Sequence, residues 1–138
     1  MSLPIRFREA VNTIIPHARR FDDELSTLAF GTDASFYRLI PKLVIRVESE
    51  DEVIQLLKLA KADGVAVTFR AAGTSLSGQA ISDSVLIVLG DNWKDREIRG
   101  QGEQIRLQSG VTGSEANAWL AAFGRKIGPD PASINACK

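Results

Sequence analysis

The sequence predicts an α+β protein: a small mixed β-sheet with flanking helices. Three observations carry this expectation. Apolar runs of strand length occur at Leu43–Val47, Val65–Phe69 and Val85–Leu89. Segments with helical periodicity and recognisable caps lie between and after them. The stretch Arg96–Gln108 alternates polar and apolar residues about a Gly-Gln-Gly turn, as a hairpin does.

Ile5, Val11, Ile14, Ile15, Ala18, Phe21, Leu25 and Leu28 recur at three- and four-residue steps. They predict one or two short amphipathic helices, interrupted at Pro16, packed on the outside of the sheet. Gly31–Ser35 reads as a loop. Pro41 opens the strand Leu43–Val47, and Ser49-Glu50-Asp51-Glu52 has the spacing of a capping box. The helix behind it presents Val53, Leu56, Leu57 and Ala60 on one face and stops at Asp63-Gly64. With Val65–Phe69, read as a buried strand, this makes a β-α-β unit, which favours parallel strands and a right-handed crossover. Val85–Leu89 and a weaker strand Arg96–Arg99 follow. Gly100-Gln101-Gly102 turns the chain into Gln104–Gln108. Thr112-Gly113-Ser114-Glu115 is a second capping box. Its helix carries Ala116, Trp119, Leu120 and Phe123 on one side, and Gly124 ends it. Trp119 and Phe123 are expected in the core rather than stacked on a ligand. The last stretch, Gly128–Ser133, is an extended loop with two prolines.

The most informative segment is Arg70-Ala71-Ala72-Gly73-Thr74-Ser75-Leu76-Ser77-Gly78-Gln79. Small residues let the backbone curl tightly and approach a ligand. Successive N–H groups in such a turn form a concave nest for an anion. Thr74, Ser75 and Ser77 can add hydroxyl donors, and Arg70 a fixed positive charge. The composition fits a diphosphate or carboxylate held by main chain, and it also fits a surface loop with no ligand. Arg70 fits either a phosphate contact or a surface salt bridge. A Walker-type loop is excluded, since Gly78 is followed by Gln79 and Ala80 rather than Lys and Ser or Thr. No G-x-G-x-x-G lies between strand and helix. The loop joins strand to strand, so a helix dipole contributes nothing here.

Composition bounds the rest. The chain has 138 residues, 44% hydrophobic and 25% charged, as expected of one globular domain. Seventeen basic residues balance seventeen acidic ones, so no net field draws it to nucleic acid or an anionic membrane. The longest clean apolar run, Val85–Leu89, is far too short to span a bilayer. The N-terminal residues are charged and amphipathic and do not read as a signal peptide. The single cysteine, Cys137, excludes an internal disulfide and points to a reducing compartment. It reads as an inert thiol rather than a flavin attachment point. His17 reads as a solvated or capping side chain. No metal-ligand pattern and no catalytic constellation is present.

Four segments in order now define a resemblance: Pro41–Val47 with Ser49–Val53 behind it, Arg70–Gly78, Gln108-Ser109-Gly110-Val111, and Gly128-Pro129-Asp130-Pro131. Together they resemble the first subdomain of the PCMH-type FAD-binding fold of the vanillyl-alcohol oxidase and p-cresol methylhydroxylase superfamily. The resemblance covers residues 35–138, leaving 1–34 as a helical lead-in. The loop variant, the Gly-Pro-Asp-Pro-Ala-Ser ending and the lead-in Ala29–Tyr37 are similar to the FAD-linked D-lactate dehydrogenase and glycolate oxidase branch. The resemblance implies FAD, with its pyrophosphate on the Arg70–Leu76 backbone of a cofactor-binding loop that runs to Gln79. Pro129, Asp130, Pro131 and Ser133 would run along the ribityl and isoalloxazine part. It implies hydride transfer from a small D-2-hydroxy acid to flavin and a quinone, cytochrome or partner subunit as electron acceptor. A cytoplasmic location follows, at the inner face of the membrane for a longer parent. The Gly-Pro-Asp-Pro-Ala-Ser ending argues against the NADPH- and FAD-dependent cell-wall reductases of the same superfamily.

Two departures accompany the resemblance. The family usually has glycine where this chain has Ala71; a methyl group at positive φ would cost roughly 1 kcal/mol or more, and the turn is expected to tolerate alanine there. The second, larger half of a flavin domain would follow the Pro-rich loop, and this chain stops at Lys138. The expectation is an N-terminal piece of a longer oxidoreductase that folds without catalysing, and whose open sheet edge pairs artificially with a second copy. The alternative is a non-catalytic module that binds a nucleotide or a partner through the same loop.

Overall fold

The computed structural model describes residues 2–138. Helix α1 (Ile5–Ile14) is followed by Pro16, a single 3-10 turn, and the two-residue strand β1 (Arg20–Phe21). Leu3, Phe7, Val11 and Ile15, each four residues apart, form the buried stripe of this region, whereas Ile5 is exposed. Helix α2 (Glu24–Ala29) is capped by Asp23, whose carboxylate accepts from Ser26 N at 2.9 Å. Leu25 and Leu28, expected on an inner face, are exposed. The lead-in therefore contains a strand that helical periodicity did not show.

Strand β2 (Leu43–Val47), helix α3 (Glu50–Asp63), strand β3 (Val67–Arg70) and strand β4 (Val85–Leu89) build the main sheet. Its order is β1-β2-β4-β3. β2 and β3 run parallel to β4, while β1 pairs antiparallel with β2, so the sheet is mixed. The expected β-α-β unit is present with one difference: β4 inserts between its two strands. β3 is consequently an edge strand, two residues later than the apolar run suggested, and Phe69 is half exposed. The sequence could not show this, because a continuous apolar run looks the same at an edge as in the interior.

Register puts Leu43, Ile45, Val47, Val85 and Ile87 on one face, where they pack with Phe7, Val11, Leu56 and Ala60. Burying each such large side chain contributes about 1.5–3 kcal/mol. Leu57 lies off this face and is partly exposed. Ser49 caps α3 as expected, its Oγ accepting from Glu52 N at 3.3 Å. The Glu52 carboxylate reaches one residue further back than a capping box requires, accepting from Glu48 N at 2.8 Å. It also takes a two-bond clamp from Arg19 at 2.6 and 2.8 Å. That clamp holds Glu52 below the usual carboxylate range. Gly64 ends α3 in the left-handed conformation, φ +63°.

Strands β5 (Arg96–Arg99) and β6 (Gln104–Leu107) form a separate hairpin. Its connection spans residues 100–103, with Gln101 at φ +53°. Trp93 anchors the approach, its indole Nε1 donating to Val47 O at 2.8 Å. Helix α4 (Gly113–Leu120) begins with a complete capping box between Thr112 and Glu115. Only Ala116 and Leu120 of its expected apolar side are buried. Trp119 is half-buried with the Arg96 guanidinium 4.1 Å from its ring, and Phe123 is exposed against Gly102. Both were expected in the core. Their four-residue spacing describes one helix side, but the neighbour on that side is a two-stranded hairpin too small to cover it. No helix among the described residues is long and apolar enough to cross a membrane.

Candidate functional site

The loop that leaves β3 starts at the C-terminal end of the parallel strands and returns at Ser84 to begin β4. Two parallel neighbours need a crossover connection, and here residues 71–84 provide it without a helix. Gly73 and Gly78 take φ +71° and +72°, the only left-handed positions in the loop. Ala71 is not left-handed, so its methyl group is accommodated.

The hydrogen bonds inside the loop centre on Ser75. Its Oγ accepts from Ser77 N at 3.2 Å and Gln79 N at 3.1 Å, and donates to Gln79 Oε1 at 3.2 Å. Ser75 therefore shapes the turn. The N–H groups of Ala72, Gly73, Thr74, Ser75 and Leu76 have no acceptor among the described residues. Residues 72–75 are half-buried and Leu76 is exposed, so these donors are open to solvent or to an acceptor such as an anion. Leu76 stands exposed at the tip.

Arg70 does not point out of the loop. Its Nη1 donates to Thr32 O at 2.7 Å and Phe30 O at 3.4 Å, and its guanidinium lies 5.8 Å from the Phe30 ring. A Cβ on Gly73 would come within 2.5–2.6 Å of this guanidinium. The loop thus folds directly over Arg70, which lends positive charge from beneath.

The lead-in supplies residues that sequence reasoning did not assign. Ala34 N donates to Gly73 O at 3.1 Å. Asp33 accepts from Ser35 N at 2.8 Å and from Ala80 N at 3.3 Å. The Tyr37 ring packs where a side chain on Gly78 would stand. Hydrogen bonds from Ser35, then Ala80, with the nearby charge of Arg70, hold the Asp33 carboxyl below its ordinary range. The signal was present in the similarity of Ala29–Tyr37 to the same flavoprotein branch, but no residue pattern said that this stretch touches the loop.

Pro129, Asp130, Pro131 and Ser133 are exposed. Asp130 faces Lys126 at 3.9 Å. Pro131 O accepts from Ile134 N at 3.0 Å, and Ser133 O accepts from Ala136 N and Cys137 N, both at 2.8 Å. The segment folds back on α4, with Ser114 N donating to Ile134 O at 3.1 Å. A cleft of about 210 Å³ lies here between Val111, Thr112, Ile127, Pro129, Pro131 and Cys137. No hydrogen bond or ion pair among the described residues links this segment to residues 70–79. A more polar cleft of about 330 Å³ between Glu50, Trp93, Arg96 and Arg106 includes neither segment. No group of His, Cys, Asp or Glu among the described residues is arranged to hold a metal ion.

A family model described as an FAD binding domain matches residues 41–138. The D-2-hydroxyglutarate dehydrogenase of Pantoea ananatis is 27% identical over 112 residues, covering 78% of this chain and 11% of that protein. The glycolate oxidase subunit GlcD of Escherichia coli is 32% identical over 105 residues, covering 75% of this chain and 21% of that protein. The chain thus spans about a tenth to a fifth of the length of these relatives. Among solved structures, an alkyldihydroxyacetonephosphate synthase superposes with a TM-score of 0.76 at 18% identity, covering 97% of this chain and 28% of that one. A p-cresol methylhydroxylase superposes with a TM-score of 0.68 at 7% identity, covering 86% and 24%.

Proposed function

Because the chain belongs to the FAD binding domain family, with the fold of p-cresol methylhydroxylase-type flavoproteins, we propose that residues 70–79 hold the pyrophosphate of its cofactor, FAD. The observation that carries this reading is the run of free N–H groups from Ala72 to Leu76 beside the left-handed Gly73. A diphosphate offers several charged acceptor oxygens, and charge-assisted bonds to backbone N–H groups are the stronger kind. Thr74 and Ser77 add hydroxyls, Ser75 and Gln79 keep the turn closed, and the charge of Arg70 acts from below. Pro129, Asp130, Pro131 and Ser133 are assigned to the ribityl and isoalloxazine side, next to the cleft at α4.

For the protein that carries this domain, the reading is an FAD-dependent oxidoreductase acting on a D-2-hydroxy acid of the lactate, glycolate or hydroxyglutarate kind. The names of its relatives support the substrate class. When bound, FAD supplies the hydride chemistry; the residues described here bind and orient it. Electrons would leave to a quinone, a cytochrome or a partner subunit. No residue of this chain is assigned a catalytic step.

Titration with FAD, followed by flavin fluorescence, tests the site in three proteins: wild type, Gly73→Val and Leu76→Asp. Gly73→Val forces a branched side chain into a left-handed position against Arg70. Leu76→Asp sets a negative charge at an exposed tip with no cost to the core. Both are expected to weaken binding tenfold or more while wild type saturates. Equal affinity in all three would move the pyrophosphate off the loop.

A further inference from the structure

The N–H groups of Ala72–Leu76 have no hydrogen bond of their own to fix their direction, so the backbone shape of the loop must set it. The loop's internal bonds come from Ser75 alone, and they tie only its second half, Ser77 and Gln79. The first half is fixed from outside, by residues 30–37. Ala34 N holds Gly73 O and Arg70 grips Thr32 O and Phe30 O, while in the second half Tyr37 fills the space beside Gly78. Asp33 bridges both ends of this contact, tying its own turn through Ser35 N and the loop's exit through Ala80 N.

We infer that Asp33 is a positioning residue of the cofactor site: with Arg70 it clasps the lead-in to the loop and sets the N–H groups of Ala72–Leu76 for a diphosphate. This rests on the proposed placement of the FAD pyrophosphate. The charge of Asp33 makes the inference sharp. A carboxylate near a diphosphate is electrostatically adverse, so an acid in this place is useful to binding only through geometry. Removing the charge while keeping the shape gives opposite signs under the two explanations. If Asp33 were only a nearby charge, Asp33→Asn would tighten FAD. If it positions the loop, Asp33→Asn weakens FAD, because an amide accepts one of the two N–H bonds and opposes the other with its own NH₂.

The test compares wild type, Asp33→Asn and Arg70→Lys by FAD titration, thermal unfolding and backbone ¹⁵N order parameters of residues 72–80 without cofactor. Arg70→Lys keeps the positive charge but loses the fork that reaches two carbonyls, so it reads the same clasp if Asp33→Asn folds poorly. The expected result is a fivefold or greater loss of FAD affinity and lowered order parameters over Ala72–Leu76 in each folded variant. Unchanged or tighter FAD binding by folded Asp33→Asn would overturn the clasp while leaving the loop assignment intact. Unchanged order parameters would overturn it also, even if FAD proved to bind elsewhere.

Discussion

The two faces of the main sheet are built differently. One face carries Leu43, Ile45, Val47, Val85 and Ile87 and is covered by α1 and α3 in a continuous core. The other carries Val44, Leu86 and Val88, and its cover is two aromatic rings, Phe21 and Phe30, 6.0 Å apart. Register places Arg46 and Arg70 on this second face, one on each side of Val88. Each guanidinium lies 5.8 Å from a ring, Arg46 over Phe21 and Arg70 over Phe30. The thick face supplies most of the buried apolar area and hence most of the stability. The thin face ends at the loop, and the residues that close it, Phe30 and Arg70, are the same ones that hold the loop. Stability and the proposed cofactor site are thus separated across one sheet, which lets the loop keep its N–H groups free without exposing the core.

Breaking the thick face has the largest expected effect. Phe7→Ala removes a fully buried ring between α1 and the sheet and is expected to cost about 3–5 kcal/mol, read by denaturant unfolding. FAD affinity of the molecules that remain folded should not change, and a parallel loss would mean that the two faces are coupled.

Phe30→Ala attacks the thin face. It removes the ring beneath Arg70 and half of the aromatic pair, and the expected destabilisation is smaller, about 1–2 kcal/mol. Its effect on FAD binding should be the larger one, several-fold in Kd. A stability loss with unchanged affinity would show that Phe30 only fills space.

The smallest effect belongs to a region on neither face. At the start of α4, Lys94 makes two 2.8 Å bonds to Glu115, whose carboxylate also accepts from the backbone and hydroxyl of Thr112. These contacts lower its pKa from 4.5 to about 2. The depressed value means that the stabilisation is fully present above pH 4.5 and disappears as pH falls through 2. Glu115→Gln should therefore have a lower Tm than wild type at pH 6, with the gap closing toward pH 2. A gap independent of pH would assign the contribution to packing instead.

Much of this was legible in the residues. Ser49 and Thr112 announced their helices because a cap is a local contact between positions three apart, and Gly64 and Gly124 announced the ends for the same reason. The buried strands Leu43–Val47 and Val85–Leu89 were legible because both faces of a central strand are apolar. The loop was legible because only small residues permit its turns. Three features were not. Arg20–Phe21 carries no strand signal in two residues; it is a strand because β2 offers it an edge. Phe123 has a core residue's spacing but no partner large enough to bury it. Arg70 reads in sequence as a phosphate contact or a surface salt bridge and is engaged by carbonyls some forty positions earlier.

The sequence by itself determined the class, the caps, the central strands and a small-residue loop suited to an anion, since each depends on neighbours within a few positions. Tertiary structure alone decided that β4 lies between β2 and β3, which face of the sheet is thick, and that Asp33 and Arg70 meet around the loop. Those are contacts between residues far apart in the chain, chosen by packing and hydrogen-bond geometry. No local pattern encodes which distant carbonyl an arginine will find.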